Sequence, residues 1–171
     1  LATAAAWRDA ADGRAAAGAA ALARVGREAL EGHHVAFGAL AAHDAARLGH
    51  PLPALPVLRD AAQRLEGDLG AAFVAHAQAV ADDDPTALLA LATRLPALGF
   101  RLSGAEAAAR ASLLHRALGE LAAARRADYV AATVAAPLGG VRSPRLGAPR
   151  GLTVREREVA LLAAEGRTSR R

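Results

Sequence analysis

The sequence predicts an all-α protein, built of tetratricopeptide-like stacked helical hairpins followed by the opening of a helix-turn-helix. Three observations predict this. Alanine supplies 51 of the 171 residues, and it has the best intrinsic helix propensity, followed closely by leucine and arginine. Aromatic residues are limited to Trp7, Phe37, Phe73, Phe100 and Tyr129, and no long β-branched run suggests a strand. Glycine, proline and aspartate then cut residues 1–134 into helix-length pieces separated by gaps of a length common between bundle helices.

In order, the pieces run over residues 2–11, 14–30, 35–48, 54–65, 68–81, 85–98, 104–118 and 120–134. Several carry a 3.6-residue apolar stripe. Phe37, Leu40, Ala41, Asp44 and Leu48 make a mixed one. Leu69, Phe73, His76, Ala77 and Val80 share a face, as do Leu88, Leu91, Leu95 and Leu98. In the run Asp82-Asp83-Asp84-Pro85, Asp84 is placed to cap a helix whose first position is Pro85, where a missing N–H costs nothing. The other two carboxylates suit the positive end of the helix dipole, so the acidic triplet needs no metal. Pro96 should bend or end its helix early. Ser103 with Glu106 three residues on has the form of a capping box. A core drawn from alanine lets helices approach closely while each contact buries little area. Hairpins of this kind stack into a solenoid, although no clean 34-residue repeat is visible in the side chains.

The chain has no cysteine, which excludes disulfides and thiolate metal sites. Its longest uncharged runs, 69–81 and 129–141, fall short of the roughly 18–20 apolar residues of a spanning helix, so no membrane partner and a cytoplasmic location are expected. Six histidines invite an enzymatic reading. His33, His34, His43 and His50 lie in one region without ligand spacing, His76 sits on an apolar stripe as a packed core residue would, and His115 stands alone in an Ala-Leu helix. No zinc-protease His-Glu-x-x-His, nucleophile elbow or phosphate-binding glycine loop is present. The expectation is a non-enzymatic chain with no cofactor and no metal in this segment.

Charge is distributed unevenly. Residues 1–134 hold 13 arginines against 14 acids, whereas residues 135–171 hold 8 arginines against 3 glutamates. A neutral body with a basic tail is what a chain shows when only its tail approaches a polyanion. Between them, residues 135–151 alternate Pro137, Pro144 and Pro149 with Gly139, Gly140, Gly147 and Gly151, which reads as a flexible or extended linker. Beyond it, Thr153 and Glu156 form a reciprocal capping box, Val159, Leu161, Leu162 and Ala163 supply an apolar side, and Gly166 ends the helix. Thr168 and Ser169 offer caps for a second helix from Arg170. Helix, tight turn and second start make the first half of a helix-turn-helix.

The stretch Leu152-Thr-Val-Arg-Glu-Arg-Glu-Val159, followed by Leu162-Ala-Ala-Glu-Gly166, resembles the opening of the LuxR-type DNA-binding domain. The resemblance covers about 20 residues, with Val154, Ser169 and Arg171 departing from the family pattern. With the hairpins upstream, the whole resembles the C-terminal part of the large ATP-binding class of these regulators. The resemblance implies part of a bacterial transcriptional regulator with a helical sensing or coupling region over 1–134, a linker over 135–151 and an incomplete helix-turn-helix over 152–171. It implies backbone contacts to double-stranded DNA from Thr153, Val154, Arg155 and Arg170, an effector or protein partner on the helical region, homodimer formation through a further helix, and ATP only in a module upstream. The absence of an initial Met and of a recognition helix leads us to expect a fragment, which alone would bind DNA weakly and without specificity. The alternative is a free-standing α-helical interaction scaffold with no DNA-binding role.

Overall fold

The computed structural model of the chain describes residues 2–141 together with Ser143 and Leu146. Among these residues all regular structure is helical: α1 (Ala2–Ala11), α2 (Ala15–Glu31), α3 (Val35–Arg47), α4 (Leu55–Arg64), α5 (Leu69–Ala81), α6 (Pro85–Ala97), α7 (Arg101–Ala117) and α8 (Leu121–Ala135), with a 3₁₀ turn over Ala136–Leu138. Each helix packs on the next, and α2 with α4, α3 with α5, and α6 with α8 touch across one neighbour. The result is a row of antiparallel helical hairpins.

One turn geometry makes the row. The amides of Arg14, His34, His50, Asp84, Phe100 and Glu120 each return to a carbonyl five residues back, at 2.8–3.2 Å. The residue before each has a positive φ: Gly13, His33, Gly49, Asp83, Gly99 and Gly119. This is the Schellman arrangement, which satisfies the last carbonyls of one helix and turns the chain directly into the next. Gly67 supplies the corresponding left-handed residue after α4. Alternate turns among these stand 32 to 36 residues apart, from Gly67 to Gly99 at the short end and from Gly13 to Gly49 and Asp83 to Gly119 at the long end. The hairpins therefore recur at a similar but not a fixed spacing. Histidine and aspartate tolerate the left-handed region better than most residues, so a search for periodic glycine passes over His33 and Asp83.

Alanine forms most of the core, and Phe73, Leu22, Leu48, Leu58, Leu88 and Leu95 are its largest fully buried apolar side chains. Glycine brings the backbones closer still. A Cβ on Gly18 would lie 2.4 Å from the Ala6 carbonyl oxygen of α1, and one on Gly26 would lie 2.9 Å from the Gly38 carbonyl oxygen of α3. Gly104 of α7 rests on the ring of Pro96, whose carbons a Cβ would meet at 2.6 and 2.7 Å. Pro96 does fall in the final turn of its helix, which ends one residue later.

Asp84 caps α6 as expected, accepting from the amides of Thr86 and Ala87 at 2.9 and 3.0 Å. Two expectations are corrected. The capping box at Ser103 and Glu106 does not form, because α7 begins three residues earlier than position 104, immediately behind the Phe100 turn, which leaves both residues buried inside the helix. The α3 stripe is buried at Ala41 and Leu48, but Phe37 and Leu40 are 49% and 40% exposed. The small residues Gly38, Ala39 and Ala42 of α3 are buried instead, and Gly38 and Ala42 meet Gly26 of α2. Small residues define the close helix contact, so the larger ones are turned away from it.

Gly18→Ala is expected to destabilise the chain by about 1–3 kcal/mol through steric displacement of α1, even though alanine gains about 1 kcal/mol in helix propensity over glycine. A lower urea midpoint with an unchanged slope checks this. A raised midpoint would show that α1 yields without cost.

Candidate functional site

The odd-numbered helices converge on one polar cluster. The Arg47 guanidinium, at the end of α3, donates to Glu106 of α7 through Nε at 2.7 Å and Nη2 at 3.0 Å. Its Nη1 donates to Asp44, one turn back on α3, at 2.6 Å. The other oxygen of Asp44 accepts from the indole N–H of Trp7 on α1 at 2.9 Å, and the Arg47 guanidinium carbon stands 4.9 Å from the Trp7 ring centroid. Glu106 is 3% exposed. Burying a carboxylate is costly unless a charged donor meets it with good geometry, and two parallel bonds from one guanidinium provide that.

Behind this cluster, α3 and α5 are joined by two histidines. His43 Nε2 and His76 Nδ1 lie 2.8 Å apart, both buried. His43 stacks on Phe73 with centroids 3.8 Å apart and planes 6° from parallel, and Phe100 meets Phe73 edge-on at 4.9 Å. One imidazole donates and the other accepts, so the pair is satisfied with both rings neutral. Burial pushes His43 well below its ordinary value, helped by His76 and Arg47. Burial and the charges of Arg47 and Arg110 push His76 down to about 4. His76 is thus a hydrogen-bonded core residue, in keeping with its stripe position.

A cavity of about 50 Å³ adjoins both groups, lined by Ala46, Arg47, His76, Val80, Glu106, Arg110 and Leu113. Arg110 crosses from α7 to the end of α5, donating to the Val80 carbonyl at 3.2 Å and to Asp83 at 2.6 Å. Its Nε is the buried side-chain donor left without a hydrogen-bond partner among the described residues. Each aspartate of the acidic triplet has its own role: Asp82 accepts from Gln78, Asp83 holds Arg110 and Asp84 caps α6.

No sequence motif marks this site. Arg47 and Arg110 belong to none, and the local spacing around Glu106 points to a cap instead. The signal that the chain does carry is a glutamate flanked by alanines on a helix otherwise suited to burial. His115 is not solitary either: its Nδ1 lies 2.6 Å from Glu120 Oε2 across the α7–α8 turn. Thr153, Val154, Arg155 and Arg170, the residues implied to approach DNA, lie outside the described residues. Among the described residues no helix is long and apolar enough to cross a membrane. The chain matches no family model, no curated protein and no solved structure.

The cluster's charges make its energetics testable. Arg47→Met or Glu106→Leu alone should cost about 3–5 kcal/mol, because each strands a buried charge, while the double variant should cost much less than the sum. Urea unfolding of the four chains checks this, and additive or negligible single effects would remove the pair from its structural role. A second expectation concerns pH. Both histidines have folded pKa values below their unfolded ones, so the folded state binds fewer protons. For His76 the stability this gives is complete above pH 6.5 and is lost as pH falls toward about 4. For His76 alone the loss is roughly 3 kcal/mol. Unfolding between pH 7 and 4 should show it, and His76→Gln should flatten the profile.

Proposed function

We propose that the chain is part of a transcriptional regulator that engages double-stranded DNA through a LuxR-type helix-turn-helix opening at Leu152, with α1–α8 as a sensing or coupling region. The observation that carries this reading is the dense match of Leu152–Gly166 to the start of that domain, directly after a Pro/Gly/Arg linker. Two further features support it. Most acids of the helical region are paired within it, as Arg47–Glu106, Arg110–Asp83 and Arg116–Asp128 illustrate, while the excess of arginine falls in residues 135–171. The hairpin row also provides a stiff platform of consecutive packed helices, as a coupling region requires.

The role of residues 152–171 in this reading is to position the domain on the phosphate backbone, with Thr153, Val154, Arg155 and Arg170 nearest to it. In helix-turn-helix domains base reading belongs to the recognition helix, not to the first helix. No catalysis and no bound cofactor are invoked for α1–α8.

A labelled duplex of arbitrary sequence titrated with the 171-residue chain tests the reading. Binding should be weak and indifferent to sequence. With about four phosphate contacts it should fall on the order of a hundredfold between low and physiological salt. Arg155→Ala and Arg170→Ala should each lower the salt slope by about one contact. Sequence-selective binding is expected of the native gene product recovered from its source cell. A chain and a native product that both ignore duplex DNA would leave the interaction-scaffold reading in its place. The broad exposure of Leu118, Leu121 and Tyr129 at 64%, 59% and 72% would then be its first candidate surface.

A further inference from the structure

Arg47 of α3 and Arg110 of α7 line one cavity of about 50 Å³, together with His76 of α5 and Glu106 of α7. A guanidinium carries five N–H donors and no acceptor. Arg47 commits its Nε and Nη2 to Glu106 and its Nη1 to Asp44. Arg110 commits Nη2 alone, to the Val80 carbonyl and to Asp83. Its Nε–H is buried with no acceptor among the described residues. Leaving a buried donor in that state is expensive, and native structures rarely do so without a reason. The acceptors nearby are already engaged. Both oxygens of Glu106 accept from Arg47, Oε1 also accepts from the Ser143 hydroxyl, and Nδ1 of His76 is paired with His43. Around this cavity donors are in surplus.

Charge has the same bias. The lining holds two cationic side chains and one carboxylate. Asp44 and Asp83, which pair with the two arginines from outside that lining, have side chains 23% and 62% exposed, whereas that of Glu106 is 3% exposed. Water therefore screens the two aspartates more than it screens the charges facing the cavity. His76 registers the imbalance: burial first, and then the charges of Arg47 and Arg110, push it down to about 4, with no carboxylate offsetting them. Size limits the guest as well. At roughly 10–15 Å³ for each water-sized particle, the space takes only a few atoms.

We propose that this cavity is a binding site for a compact monovalent anion, of the size of formate or chloride, with the Arg110 Nε–H as its central donor and Arg47 as the second cation. One negative charge matches the excess of one cation in the lining. A second charge would meet Glu106 unscreened, and a bulky anion would not fit. The bound anion joins α3 to α7 through the two guanidinium groups, beside the direct bond from Arg47 to Glu106. The site goes beyond the DNA-binding reading and does not depend on it.

The test is a titration of the 171-residue chain with sodium formate and, in parallel, with sodium gluconate, which carries the same charge but is too large to enter. The Nε–H resonance of Arg110, assigned through its own side chain by NMR, should move saturably with formate, with a midpoint on the order of 10 mM, and should stay in place with gluconate. The thermal unfolding midpoint should rise further in formate than in gluconate, as ligand binding to the folded state requires. Arg110→Lys keeps a cation beside Asp83 but has no Nε–H, so its unfolding midpoint should respond equally to the two salts. A resonance that moves alike in both salts would overturn the proposal. So would an advantage of formate that survives undiminished in Arg110→Lys. A resonance that ignores formate and takes up magnetisation from water would overturn it too, by giving the cavity to water alone. The titration of the unsubstituted chain decides the matter by itself should Arg110→Lys fail to fold.

Discussion

Small side chains impose the constraint on which this structure rests. Where alanine faces alanine, two helices gain from contact only if their backbones come close, and dispersion falls away steeply when they do not. Close approach requires notches, and Gly18, Gly26, Gly38 and Gly104 supply them at α1–α2, α2–α3 and α6–α7. It also requires that helices meet at set distances along their axes. The recurring Schellman turns provide this by leaving almost no free chain between one helix and the next. Turn geometry and small-residue contacts are thus two parts of one solution.

A core of this kind has little apolar area per residue with which to oppose chain entropy. Two consequences are visible. Aromatic rings serve where helices other than sequence neighbours meet, as with Phe73 of α5 against His43 of α3 and Phe100. Non-neighbouring helices are also tied by directed polar bonds: Trp7 to Asp44 joins α1 to α3, His43 to His76 joins α3 to α5, and Arg47 to Glu106 joins α3 to α7. Such bonds add less net stability than their number suggests, because each group first loses water. They add direction, which alanine contacts lack. A stack whose hairpins could slide is held in one register by bonds that tolerate only small displacements.

The same division explains which features are legible in the sequence. Helix positions are, because propensity, punctuation and the stripes over 69–80 and 88–98 all give one answer. The cap at Asp84 is legible because capping is local. The exposure of Phe37 and Leu40 is not: an apolar stripe is normally the guide to a buried face, but here Gly38 and Ala42 decide which face meets α2, so these two follow passively while Ala41 and Leu48 stay buried. The shared turn geometry is hidden for a related reason, since His33 and Asp83 adopt the conformation that glycine adopts at the other turns. The Arg47–Glu106 pair is separated by 59 residues, and no local rule links two such positions. The Ser103–Glu106 spacing points to a local role for Glu106, and the long-range one prevails.

That outcome gives one buried carboxylate partners from different parts of the chain: Arg47 from α3, and Ser143 from beyond α8. A row made only of interchangeable alanine contacts has no preferred place for a distant residue to attach. Burying a carboxylate at the meeting of α3 and α7 creates such a place, because one carboxylate oxygen can accept from more than one donor and Oε1 serves both. The ion pair therefore ties α3 to α7 and also holds a hydroxyl 37 residues further along the chain.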